Sequence, residues 1–178
     1  MTRKEEYMRK VKLGFVIFLM FWFSAFPIKA ADFMRDFYFG EPIEEIATSR
    51  NIEYTHYWPE ADCDVYITYI SDGEDSKFEF GTAEADIACY RLYVQNGALV
   101  GLSAHLRDLN WNWLFTSDFE REFTAMYGRP IYTEENTIVM WLVDDKLVYM
   151  MCLPVGNNQT LVSVSAVTSE VASSVFGV

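Results

Sequence analysis

The chain has little of what most reaction centres need. Only three of its 178 residues are cysteine and two are histidine, His56 and His105. No C-x-x-C occurs and the two histidines lie far apart, so the spacing of zinc ligands is missing and no metal is expected. The nine glycines are scattered singly, which leaves no loop to cradle a phosphate and no dinucleotide fingerprint, and therefore no expected cofactor. No G-x-S-x-G elbow presents a serine nucleophile. The nearest arrangement, Ser103-x-His105, puts two side chains on one face of a strand, and a satisfied or exposed histidine explains it better than catalysis. Basic residues are also scarce, 14 Lys and Arg against 26 Asp and Glu, for a formal net charge of −12. Such a surplus repels phosphate backbones and anionic head groups, so nucleic acid is excluded as a partner. Otherwise the acidity serves solubility.

The few basic residues crowd at the start. Arg3, Lys4, Arg9, Lys10 and Lys12 precede a run of 14 apolar or weakly polar residues from Leu13 to Phe26. A helix of that run reaches about 21 Å, short of a hydrocarbon core of about 30 Å. Pro27 ends it, and Ala30-Ala31 offers small side chains to a peptidase. Residues 1–30 therefore read as a signal peptide, with a signal anchor as the alternative. No cysteine occurs before Cys63, so a lipid-modified N-terminal cysteine is excluded. The expectation is an exported bacterial protein, periplasmic or extracellular, or else a membrane-anchored one with its domain outside the cytoplasm. Membrane contact is expected only through an uncleaved N-terminal segment.

The chain beyond residue 30 is long enough for one independent core. Residues 31–167 read as a single domain without repeat or linker, and 168–178, small and polar, as a loosely held tail. Turn signals recur between runs rich in Val, Ile, Tyr, Phe and Trp, which is strand patterning. Asn96-Gly97 is the clearest local signal, a two-residue type I′ hairpin between Tyr93 and Leu102. Gly40-Glu41-Pro42 starts a short helix whose Ile43, Ile46 and Ala47 share a face. A second helix is capped by Ser117 with Glu120 three residues on, and carries Phe119, Phe123 and Met126 at helical spacing. Gly128 and Pro130 end it. Strands at 137–143, 146–153 and 160–167 close the order. The predicted fold class is α+β, a mostly antiparallel sheet with two helices packed on one face.

The layout resembles that of small uncharacterised secreted bacterial proteins. The shared points are a glycine before a short helix with paired glutamates (Gly40, Pro42, Glu44, Glu45), then the hairpin, then a helix closing on Tyr127-Gly128-Arg129-Pro130. A tryptophan-bearing strand at Trp141 comes next. The resemblance implies a fold and exported status, and carries no catalytic residue.

Aromatic residues are the compositional oddity, with 11 Tyr, 14 Phe and 5 Trp. Trp111 and Trp113 flank an asparagine just before the second helix, and Tyr57 and Trp58 lie together. If exposed, these four are candidate contacts for a protein or a sugar ring; if not, they fill the core. Paired carboxylates such as Asp62/Asp64 are uninformative in so acidic a chain, and Asp72, Glu74 and Asp75 lack the ligand alternation of a calcium loop. In an oxidising compartment Cys63 and Cys89 are the candidate disulfide, with three buried thiols as the alternative. The leading functional expectation is a non-catalytic exported domain binding a protein partner. A glycan-binding protein or hydrolase using surface Trp residues, and a membrane-anchored structural envelope protein, are the other two.

Overall fold

The computed structural model describes residues 28–29, 36–70, 77–80, 83–106, 118–134, 137–156 and 159–177. The signal-peptide reading, the Ser117 cap, and Trp111 with Trp113 thus lie outside the described residues.

After two short paired strands, β1 (Ile28–Lys29) and β2 (Tyr38–Phe39), comes helix α1 (Ile43–Ser49). Five strands succeed it: β3 (Glu53–Trp58), β4 (Cys63–Tyr69), β5 (Lys77–Phe80), β6 (Ala83–Gln95) and β7 (Ala98–Leu106). Helix α2 (Asp118–Tyr127) then leads to β8 (Tyr132–Glu134), β9 (Ile138–Val143), β10 (Lys146–Gly156) and β11 (Gln159–Thr168), and helix α3 (Ser169–Phe176) ends the chain. The main sheet is antiparallel throughout, in the order β3-β4-β6-β7-β11-β10-β9-β8, with β5 paired to the far end of β6. Each half therefore runs helix then meander, and the last strands of the two halves, β7 and β11, meet at the centre. The order reads the same from either edge inward. This internal repeat is topological, and no sequence repeat announces it.

Local chemistry explains several of these joints. Asn96 and Gly97 both take positive φ, +53° and +79°, as a I′ turn requires, and join β6 to β7. Gly128 at φ +81° ends α2, its N–H donating to Thr124 O. Glu44 and Glu45 occupy the first turn of α1, where the dipole favours them.

Both faces of the sheet are covered. On the first, Ile43 and Ile46 of α1 and Phe123 of α2 pack with Leu92, Leu102, Val148, Val164 and Trp141. Trp141 is fully buried and its indole Nε1 donates to Gly128 O at 3.1 Å, tying β9 to the end of α2. On the second face, Val171 and Ala172 of α3 are buried with Leu147, Tyr149, Val167 and Cys63.

Two expectations need correction. The fold is β-rich, a wide antiparallel sheet with three short helices, rather than an α+β domain with two helices packed on it. Residues read as a loose tail form α3: Thr168 caps it by accepting from the Val171 N–H, and Gly177 at φ +69° closes it. Its small Ser and Ala residues conceal an apolar stripe, Val171, Ala172, Val175 and Phe176, at helical spacing.

Phe123 is fully buried, with its ring 5.4 Å from Trp141 and 5.7 Å from Tyr127. Phe123→Ala should therefore destabilise the fold by about 3–5 kcal/mol. Urea unfolding measures this, and a loss below about 1 kcal/mol would show that α2 is not anchored there.

Candidate functional site

The second face of the sheet departs from ordinary core composition at its centre. Alternation along β7 sends Leu102, Ala104 and Leu106 to the first face and Gly101, Ser103 and His105 to the second. The same alternation on β11 presents Ser163 and Ser165, and on β10 Tyr149 and Met151. Register then aligns them in two rows. Arg91, Ser103, Ser165 and Tyr149 sit directly across from one another on β6, β7, β11 and β10. Cys89, His105, Ser163 and Met151 form the next row.

Serine is small, so these rows leave space where valine would fill it. The space is a cleft of about 190 Å³, walled by Trp58, Tyr93, Leu161, Val175 and Phe176. Tyr93 leans across Gly101: a Cβ there would stand 2.9 Å from the Tyr93 ring and 2.8 Å from Val167 Cγ1, so the position has room only for glycine. The ring thereby brings its hydroxyl to 3.2 Å from Ser103 Oγ, which lies 2.6 Å from Ser165 Oγ. The Tyr149 hydroxyl stands near the same two serines, which offset part of the rise that burial imposes on its pKa. Burial raises the Tyr93 and Tyr149 phenols above their ordinary value, so both remain protonated.

His105 is different. It is 6% exposed and its Nε2 has no hydrogen-bond partner. Burial, with a smaller contribution from the Arg91 charge, pushes its pKa down to about 4, so the imidazole is neutral at physiological pH. Ser103 bonds to hydroxyls instead of to this imidazole.

The sequence-predicted contacts divide at this cleft. Trp58 turns inward, half-buried, its ring 5.5 Å from Tyr93, and lines the wall. Tyr57 turns outward, 49% exposed, and donates to Asp62 Oδ1 at 2.6 Å. That bond, more than burial, raises the Tyr57 pKa. Register slips by one residue between Tyr54 and His56, a bulge that brings Tyr54, opposite Tyr66, and Tyr57, opposite Asp64, to the same face. Tyr54 is 57% exposed and stacks edge-on against Tyr66 at 5.5 Å.

The Cys63–Cys89 bridge is not formed. Neither thiol is in a disulfide, and since Cys89 pairs with Tyr69 while Cys63 sits next to the Asp64–Val94 pair, they lie about 20 Å apart along the sheet. Disulfide geometry needs Cα atoms within about 7 Å. The Cys63 thiol is buried, donates to Ala61 O at 3.1 Å, and is pushed up to about 11 by burial and then by Asp62 and Asp64. Sequence reasoning found Tyr57 and Trp58 but missed Ser163, Ser165, Tyr149 and Arg91. Serine at alternate positions of an otherwise apolar β11 was the available signal.

Among the described residues no group of three His, Cys, Asp or Glu could hold a metal ion, and no helix is long and apolar enough to cross a membrane. Compared with protein-family models, curated proteins and solved structures, the chain matches none.

The His105 environment has a pH consequence. The unfolded chain takes up a proton near 6.5, and the folded one only near 4. Stability from this group is therefore complete above about pH 6.5 and declines as pH falls toward about 4. Between about pH 7 and pH 5 the loss comes to about 2 kcal/mol. Urea unfolding at both pH values checks this: His105→Gln should lose the dependence, and an equal slope in variant and native chain would contradict it.

Proposed function

We propose that the chain is an exported, non-catalytic binding domain that engages a protein partner along the β3 end of its sheet, in the cell envelope or outside the cell. Export rests on the basic start, the short apolar run and the small residues at Ala30-Ala31. The observation that carries the binding reading is the β3 surface. Its Tyr54 and Tyr57 share one face because of the bulge, and each is held by a neighbour, Tyr66 or Asp62. Rigid, exposed aromatic rings supply contact area at low entropic cost, which is why tyrosine is enriched at interfaces.

The surroundings narrow the partner's chemistry. Glu53, Glu60, Asp62 and Asp64 are all exposed around these rings. A partner face with basic side chains and shallow apolar hollows fits best. The bulge interrupts the strand edge, so recognition goes through side chains instead of strand addition. The non-catalytic reading is supported by the Ser103 and Ser165 hydroxyls, which bond to one another and not to a base.

The test is a photo-crosslinking residue at position 57 in the native envelope. The expected result is a discrete protein adduct that falls about tenfold on Tyr54→Ala, while the unfolding midpoint changes by no more than about 0.5 kcal/mol equivalent. An adduct insensitive to Tyr54→Ala, or one containing only carbohydrate, would contradict the proposal.

A further inference from the structure

The cleft lies across the sheet from Tyr54 and Tyr57, shares only Trp58 with β3, and carries its own chemistry. Its floor holds a hydrogen-bonding atom with nothing to bond. His105 lines the cleft, and its Nε2 is enclosed and lacks a partner. Leaving a buried polar atom unpaired costs about 1–3 kcal/mol. The neighbours of His105 on this face, Cys89, Ser163 and Ser103, make no bond to its Nε2 that would offset that cost.

A second group at the same cleft also lacks a counterpart. Arg91 lines the opening, and among the described residues it makes no ion pair. That is unusual in a chain with 26 acidic and 14 basic residues. Arg91 pairs with Ser103 and His105 with Cys89, so the two are diagonal neighbours across β6 and β7. Diagonal neighbours stand about 7–8 Å apart at their backbones, within reach of a long side chain. The guanidinium and the imidazole, as its Nε2–H tautomer, are thus the two donors at this end that no other group among the described residues engages.

The rest of the cleft is apolar. Trp58, Met151, Leu161, Val175 and Phe176 form its walls. At about 190 Å³ it somewhat exceeds the roughly 150 Å³ of an apolar cavity that holds benzene. The geometry points to a binding site for a small organic carboxylate: an apolar body the size of a single ring against Trp58 and Phe176, with its carboxylate received by Arg91 and His105.

Charge balance supports a carboxylate over an amine or a plain hydrocarbon. An amine would bring its ammonium against the like charge of Arg91. A hydrocarbon would leave His105 as unsatisfied as before. The acidic surface repels anions at a distance, but salt screens that repulsion beyond about 8–10 Å, while Arg91 acts at contact.

The experiment is a titration of the purified protein with benzoate and, separately, benzyl alcohol. His105 imidazole resonances and Trp58 fluorescence serve as readouts. Saturable binding of benzoate that moves both signals is expected, and Arg91→Gln should weaken it about tenfold or more while leaving benzyl alcohol unaffected. Arg91 is exposed, so this variant folds. Two results would overturn the inference. One is that benzoate, phenylacetate and isovalerate all leave the His105 signals unmoved up to about 10 mM, the weak end of specific binding. The other is equal affinity for benzoate and benzyl alcohol with no effect of Arg91→Gln.

Discussion

The pairing of β7 with β11 is the constraint on which the rest of the structure depends. Six residue pairs, from Gly101↔Val167 to Leu106↔Val162, join the last strand of one half to the last strand of the other. Each half alone would be a meander with a short helix on one face and its other face bare. An α1 of seven residues has no stability of its own. Joined at this seam, α1 and α2 cover a continuous first face, and α3, leaving directly from β11, folds back over the second. The edges left over are short or modified: β8 has three residues, all exposed, and β3 carries a bulge.

The seam also explains why the second face is polar where it is most enclosed. Ser103 and Ser165 meet across it at 2.6 Å, between strands 62 residues apart in the chain. With the Tyr93 hydroxyl they form a network whose members satisfy one another, which makes burial of three hydroxyls tolerable. His105, one row further along, is left outside that network. Natural folds usually tolerate such local inconsistency where a site gains from it. The small serines open space beside the unpaired imidazole, and Tyr93, seated over Gly101, and the inward Trp58 wall it.

Much of the local structure was legible in the sequence, because its causes are local. Asn96-Gly97 dictated a turn, Gly128 with Pro130 ended a helix, and Asp144-Asp145 separated two strands. Long-range features were not legible. The inverted strand order joins residues through register, which leaves no trace in composition, and the two halves share a path without sharing a motif. Helix α3 was misread because serine and alanine resemble a tail until Thr168 and Gly177 are recognised as its ends. At the candidate site, pattern reasoning identified Tyr57 and Trp58 as notable but could not foresee that one points out and the other in. A bulge decides which residues share a face, and it shifts everything past it by one. Cys63 and Cys89 lie on the neighbouring strands β4 and β6, yet register, not proximity in sequence, sets the distance between them.

The two halves form one cooperative unit through the β7–β11 seam, and native-state hydrogen exchange tests this most directly. The amides of residues 101–106 and 162–167 should exchange only through global unfolding, with the same free energy in both strands and the same denaturant dependence as the whole domain. If one half, for example β8 to β11, exchanged through an opening well below the global value while the other stayed protected, the seam would not unite the fold.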